Sequence, residues 1–100
     1  MSSLEIQPGG DGRYQLRGEL TFATVTAAWQ AGQTLFAGAR AVALDLGGVV
    51  RVDSAGLALL VEWIRQGRAE GWSLALENVP PQLLAIARVS GLVGLLGLAA

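Results

Sequence analysis

Residues 41–79 read AVALDLGGVVRVDSAGLALLVEWIRQGRAEGWSLALENV. The two ends, Ala41 to Leu46 and Trp72 to Val79, are short and mostly apolar, as strands are, and AVALDL has the near-continuous pattern of a strand buried on both faces. Between them Leu57, Leu60, Val61 and Ile64 recur at helical spacing, with Asp53 or Ser54 placed to cap the helix start and Gly71 to end it. Strand, helix and strand in succession need a crossover connection, which sets the strands parallel and lays the helix on the sheet.

The flanking residues extend this unit. Leu4 to Ile6 and Tyr14 to Leu20 alternate apolar positions and are separated by QPGGDG, so a two-stranded hairpin is expected at the start. Val25, Ala28, Trp29 and Gly32 fall at helical spacing within FATVTAAWQAGQTLF, although its Thr and Val residues are weak helix formers, and Gly38 is placed to stop the helix. Pro80 and Pro81 block further strand pairing, and Pro81 suits the first turn of a last helix, PQLLAIARVSG. The expected fold is α/β: one domain over residues 1–100, with a mixed four-stranded sheet and helices packed mainly on one face.

Composition narrows the function. The chain is 52% hydrophobic and only 15% charged, against the roughly 25% charged of typical domains, so it has either a large core or apolar surface kept for partners. Seven Arg, no Lys and eight acids give a net charge of -1, which argues against nucleic acid as a partner. With no Cys and no His, thiolate metal sites, disulfides and the commonest general base are missing, and no cofactor is expected. The first residues, MSSLEIQPGGDGR, carry neither a basic leader nor an apolar signal core, which reads as cytoplasmic. Residues 83–100, LLAIARVSGLVGLLGLAA, tempt as a membrane span, but Arg88 and three spaced glycines favour a short helix with an apolar tail.

One polar cluster stands out. Asp53 and Ser54 precede the central helix, where a side-chain oxygen can accept an otherwise unpartnered N–H. Ser54 is expected both to cap the helix and to lie in a partner interface. Gly56 is unfavourable in a first turn, so a bare backbone there is expected to admit another molecule to the helix N-terminus. A phosphate on Ser54 would also suit those free N–H groups, though Asp53 would oppose its charge. As an active site the cluster fails, because Ser54 has no base beside it and nothing marks Asp45 and Asp53 as an acid and base pair. Gly47-Gly48 is too short for a phosphate loop and reads as a turn. Arg51 is either a solvated side chain or an anchor for a carboxylate or phosphate. Trp29 and Trp72 suit the core or its edge, while Trp63, paired with Leu59 at i, i+4, fits either a wider buried face or an exposed interface.

The segments ALDLGGVVRVDSAGLALLVEW and GWSLALENVPPQLLAIARVSGL resemble a STAS domain, the fold of anti-sigma factor antagonists and of sulfate-transporter tails. Within that family, VDSAGLALLVEW and Trp29 are most similar to the STAS subunit of the Mla phospholipid-transport ABC complex. The resemblance implies a non-enzymatic chain, peripheral to the inner membrane, that binds the transporter's ATPase and supports its role in outer-membrane lipid asymmetry. It also implies a contact surface centred on Asp53, Ser54, Ala55 and Gly56, reaching to Thr21 and Phe22 and along the helix to Leu59 and Trp63. The alternative implied is an anti-sigma factor antagonist, with Ser54 as the phosphoacceptor of a serine kinase. Ala55, where antagonists commonly carry a second Ser, and the short start before the hairpin lean toward the transporter, as does low charge, which permanent partners tolerate.

Overall fold

The computed structural model describes residues 2–98; Met1 and the end of the apolar tail, Ala99 and Ala100, lie outside the described residues. The elements run β1 (Leu4–Gly10), β2 (Arg13–Leu20), α1 (Val25–Leu35), β3 (Ala41–Val52), α2 (Ser54–Glu70), β4 (Ser73–Glu77) and α3 (Pro81–Val89), the order the sequence pattern predicts. They build one four-stranded sheet in the order β1-β2-β3-β4. The β1/β2 hairpin is antiparallel, and the β2/β3 and β3/β4 pairs are parallel, as crossover helices require. Several boundaries move, among them the end of β3, which runs to Val52, and both ends of β4, which shortens to Ser73–Glu77. Strand β1 runs on to Gly10, with the turn left to Asp11 and Gly12, and α1 starts at Val25 rather than Phe22 because residues 21–24 form a turn.

The sheet has one buried face. Leu16 and Leu20 of β2, and Val42, Leu44 and Leu46 of β3, alternate inward and are buried beneath the helices. The expectation that AVALDL is covered on both sides is corrected here: Ala41, Ala43 and Asp45 point to an open face that carries Gln15 and the Arg13–Glu77 ion pair. Two alanines made an alternating strand look continuously apolar. Gly47-Gly48 is also not a turn. Strand β3 continues through it with an irregularity, since Gln15 faces Asp45 but Arg17 faces Gly48, leaving two residues of β3 opposite Leu16.

Helix α2 is the keystone. It begins at the Asp53 cap, ends at Gly71 in the left-handed conformation that glycine takes without strain, and buries Leu57, Leu59, Leu60, Val61, Trp63 and Ile64. Trp63 meets Phe36 edge-on at 5.2 Å between ring centres, and Tyr14 and Trp72 surround the same Phe36 at 5.1 and 5.5 Å. A Cβ on Gly32 of α1 would stand 2.7 Å from the Trp63 Nε1, so the missing side chain lets the indole pack under α1. Pro81 opens α3 in its first turn, as expected, and the Gln82 Oε1 accepts the Val52 N–H at 2.9 Å, in the part of β3 that runs beyond its pairing with β4. After α3 the chain forms turns that bury Leu96 and half-bury Leu92, Val93 and Leu95. Among the described residues no helix is long and apolar enough to cross a membrane.

Candidate functional site

Strand β3 ends beside the end of β2, so the residues that follow both strands come together. The Asp53 N–H donates to the Leu20 carbonyl at 3.3 Å. The Asp53 carboxylate accepts the N–H groups of Ala55 (2.9 Å) and Gly56 (3.1 Å) through Oδ1 and that of Phe22 (3.0 Å) through Oδ2. One side chain thus caps α2 and fastens the loop before α1 to it. Partial burial pushes this carboxyl up, but the N–H groups of Phe22, Gly56 and Ala55, with the nearby Arg51 charge, outweigh that and hold it below the ordinary carboxylate range. Thr24 shapes the same loop: its hydroxyl accepts the Thr21 N–H at 3.1 Å and lies 2.8 Å from the Glu19 carbonyl, to which it can donate.

The predicted residues divide sharply. Ser54 is exposed in the first turn of α2, and the expectation that it caps the helix is corrected: Asp53 takes that role. Gly56 is buried, and a Cβ there would stand 2.0 Å from the Leu20 carbonyl oxygen. The bare backbone at Gly56 therefore admits the chain's own β2, which corrects the expectation that it leaves room for another molecule. Trp63 is 0% exposed and so belongs to the wider buried face; as a surface contact it is corrected. Thr21 is likewise buried, its carbonyl taking up the Thr24 and Val25 N–H groups in the turn. Phe22, in contrast, is 82% exposed, and its backbone N–H is held by Asp53.

Leu59 is 5% exposed, yet that sliver lies in a groove of about 340 Å³ between α1 and α2. Ala55, Ala58 and Glu62 line it with Leu59 from α2, and Val25, Thr26 and Trp29 line it from α1. Trp29, read from the sequence as a core-edge residue, is the groove's large aromatic. The signal was its i, i+4 spacing from Val25. Ser54 lines a second shallow depression with Ala85, Ile86, Val89 and Ser90, where Val89 is 90% exposed. The α2 N-terminal half is therefore a ridge of small side chains with an apolar hollow on either side.

Chemistry finds little purchase here. Asp53 is saturated by backbone donors, and Asp45 is engaged elsewhere by the Asn78 side chain (3.0 Å) and the Gly47 N–H (2.9 Å), which hold its carboxyl low. The two acids share no partner. Among the described residues no group of three or more His, Cys, Asp or Glu is placed to hold a metal.

The chain is thus a mixed four-stranded sheet with three helices, and the start of α2 is capped and flanked by apolar hollows. The family model described as "Mlab, STAS domain" matches residues 6–97, and the chain belongs to the STAS-domain family. Among solved structures it is similar to a sulfate transporter family protein from Wolinella succinogenes (TM-score 0.71, 21% identity, 93% of this chain and 76% of that one). It is also similar to the Bacillus cell fate determinant SpoIIAA in its phosphorylated form (TM-score 0.70, 19% identity, 95% and 86%). A third likeness is to Mglu (TM-score 0.60, 29% identity), of which this chain, matched over 77% of itself, spans only 20%. No curated protein matches the chain. Neither the family model nor the likeness to SpoIIAA names an enzymatic family.

Proposed function

We propose that residues 1–100 form a non-catalytic STAS subunit that docks through its α1–α2 face on the ATPase of an ABC phospholipid transporter of the Mla type. In this reading the chain is cytoplasmic, is held at the inner membrane by the complex, and supports the transporter's assembly and activity in maintaining outer-membrane lipid asymmetry. The observation that carries it is the apolar groove of Val25, Trp29, Ala55, Ala58 and Leu59 beside exposed Ser54 and Phe22. Such a surface, apolar except for Glu62 and Thr26 in its lining, suits a helix of a partner protein better than a substrate. The description of the matching family supports the same choice.

The test is binding to the Mla-type ATPase of the same organism. Ala58 is exposed on α2, and Glu is a good helix former, so Ala58→Glu leaves the fold intact while putting a charge in the groove. Affinity falls at least about tenfold if the groove is the contact; undiminished binding by this variant removes the groove from the interface. The second reading, an antagonist switched by a serine kinase, is favoured by one observation: the Ser54 hydroxyl is exposed and the cap is made by its neighbour. Phosphate on Ser54 in the native host, with a kinase and no ATPase bound, decides for that reading.

A further inference from the structure

Strand β1 is an edge of the sheet. The Ser3 carbonyl accepts the Glu19 N–H at 2.8 Å, and the register then pairs Glu5 with Arg17 and Gln7 with Gln15. In an antiparallel ladder alternate residues turn their N–H and C=O groups toward the partner strand. The groups of Leu4 and Ile6 therefore point away from β2, along the free edge. Pro8, the next outward position, has no N–H, so the usable edge ends there.

Beside this edge lies an open trough of about 440 Å³. Leu4 and Ile6 form one side, and Ala23, Ala27, Ala31 and Leu35 on α1 form the other. This is the flank of α1 turned away from the α2 groove, which is lined by Val25, Thr26 and Trp29. A strand laid along β1 would place the side chains opposite Leu4 and Ile6 over the trough and the one opposite Glu5 on the open sheet face. Glu5 accepts a hydrogen bond from the Gln7 side chain and has no ion pair among the described residues. Backbone donors, an apolar trough and a carboxylate whose cross-strand neighbour Arg17 is turned to the Gln15 side chain thus recur in the spacing of one strand.

We propose that the free edge of β1 is a strand-addition site, at which an extended segment of a partner protein pairs with Leu4 to Ile6, lowers alternate apolar side chains into the alanine-lined trough, and sets a basic side chain opposite Glu5. This mode draws affinity from the main chain and specificity from alternate side chains. A second copy of this chain fits less well. The two-fold register that uses the outward groups of both Leu4 and Ile6 puts the two Glu5 side chains directly opposite each other, and like charges in that position repel.

The probe is a capped pentapeptide alternating valine with arginine, added to the full chain while amide hydrogen exchange is followed residue by residue. Exchange at Leu4 and Ile6 slows at least about tenfold at saturation, while the already paired Glu5 and Gln7 change little. Ala27→Glu, on the exposed flank of α1, abolishes this protection with α1 still folded, and Glu5→Lys transfers the preference to a valine and glutamate peptide. No protection at millimolar peptide, or equal protection in Ala27→Glu, overturns the proposal. Protection that appears without peptide and grows with protein concentration also overturns it, in favour of a second copy.

Discussion

Asp53 joins three backbone donors from two segments of the chain, while the adjacent Ser54 joins none of them. Removing the carboxylate leaves the α2 N-terminus and the Phe22 N–H without their acceptor. Asp53→Ala is therefore expected to lose about 1–2 kcal/mol in denaturant unfolding, against less than about 0.5 kcal/mol for Ser54→Ala. Equal losses would mean that the hydroxyl shares the capping. Gly56→Ala is more severe than either, because its Cβ would overlap the Leu20 carbonyl oxygen, a backbone atom within a sheet. A loss of at least about 2 kcal/mol is expected from the calorimetric melting point. The sequence brought Asp53, Ser54 and Gly56 together as a site but put the cap on Ser54 rather than Asp53, an error left open because Asp and Ser cap equally well. What separated them was the Phe22 N–H, contributed from 31 residues away. Gly56 was misread for the same reason: the atom that forbids a side chain there belongs to β2.

At the scale of elements, α2 carries the widest apolar face in the molecule, and Trp63 lies at the centre of it. Its Nε1 is buried and has no hydrogen-bond partner, an unfavourable arrangement that packing against Phe36 and Gly32 must outweigh. Trp63→Phe removes the unpaired donor along with some volume, so its cost in chemical denaturation stays below about 2 kcal/mol. Trp63→Ala costs about 3–5 kcal/mol. Comparable losses for both would show that the indole volume alone decides. The number and order of elements were legible because each has its own periodicity and its own punctuation: Pro81 at the start of α3, Gly71 after α2, Asp11-Gly12 between β1 and β2. Less legible was which surfaces those elements cover. An i, i+4 pair such as Leu59 and Trp63 looks the same whether it meets α1 or a partner, and Trp29 on the facing helix, rather than Trp63, is the tryptophan left half-exposed beside the groove.

For the whole molecule, the absence of His and Cys leaves carboxylates as the only side chains that ordinarily titrate between about pH 2 and pH 8. Stability is therefore nearly flat from about pH 6 to pH 8, and acid is the side on which the fold gives way. Asp53 and Asp45 are the two groups held low in the folded state, by backbone and side-chain donors that prefer the ionised form. A carboxyl depressed by folding contributes stability that is fully present above its unfolded value of about 4 and is lost as the pH falls through its lower folded value. Asp53→Asn keeps a capping oxygen but has no charge to lose, so the gap between parent and variant in unfolding free energy narrows as the pH drops from about 5 to about 2. Asp45→Asn shows the same narrowing independently, because its partners Asn78 and Gly47 are not shared with Asp53, and the double variant has the flattest acid limb. A gap for Asp53→Asn that stays constant across that range would mean that the three N–H groups hold an oxygen there and not a charge. The cap would then join α2 to the loop before α1 by geometry alone.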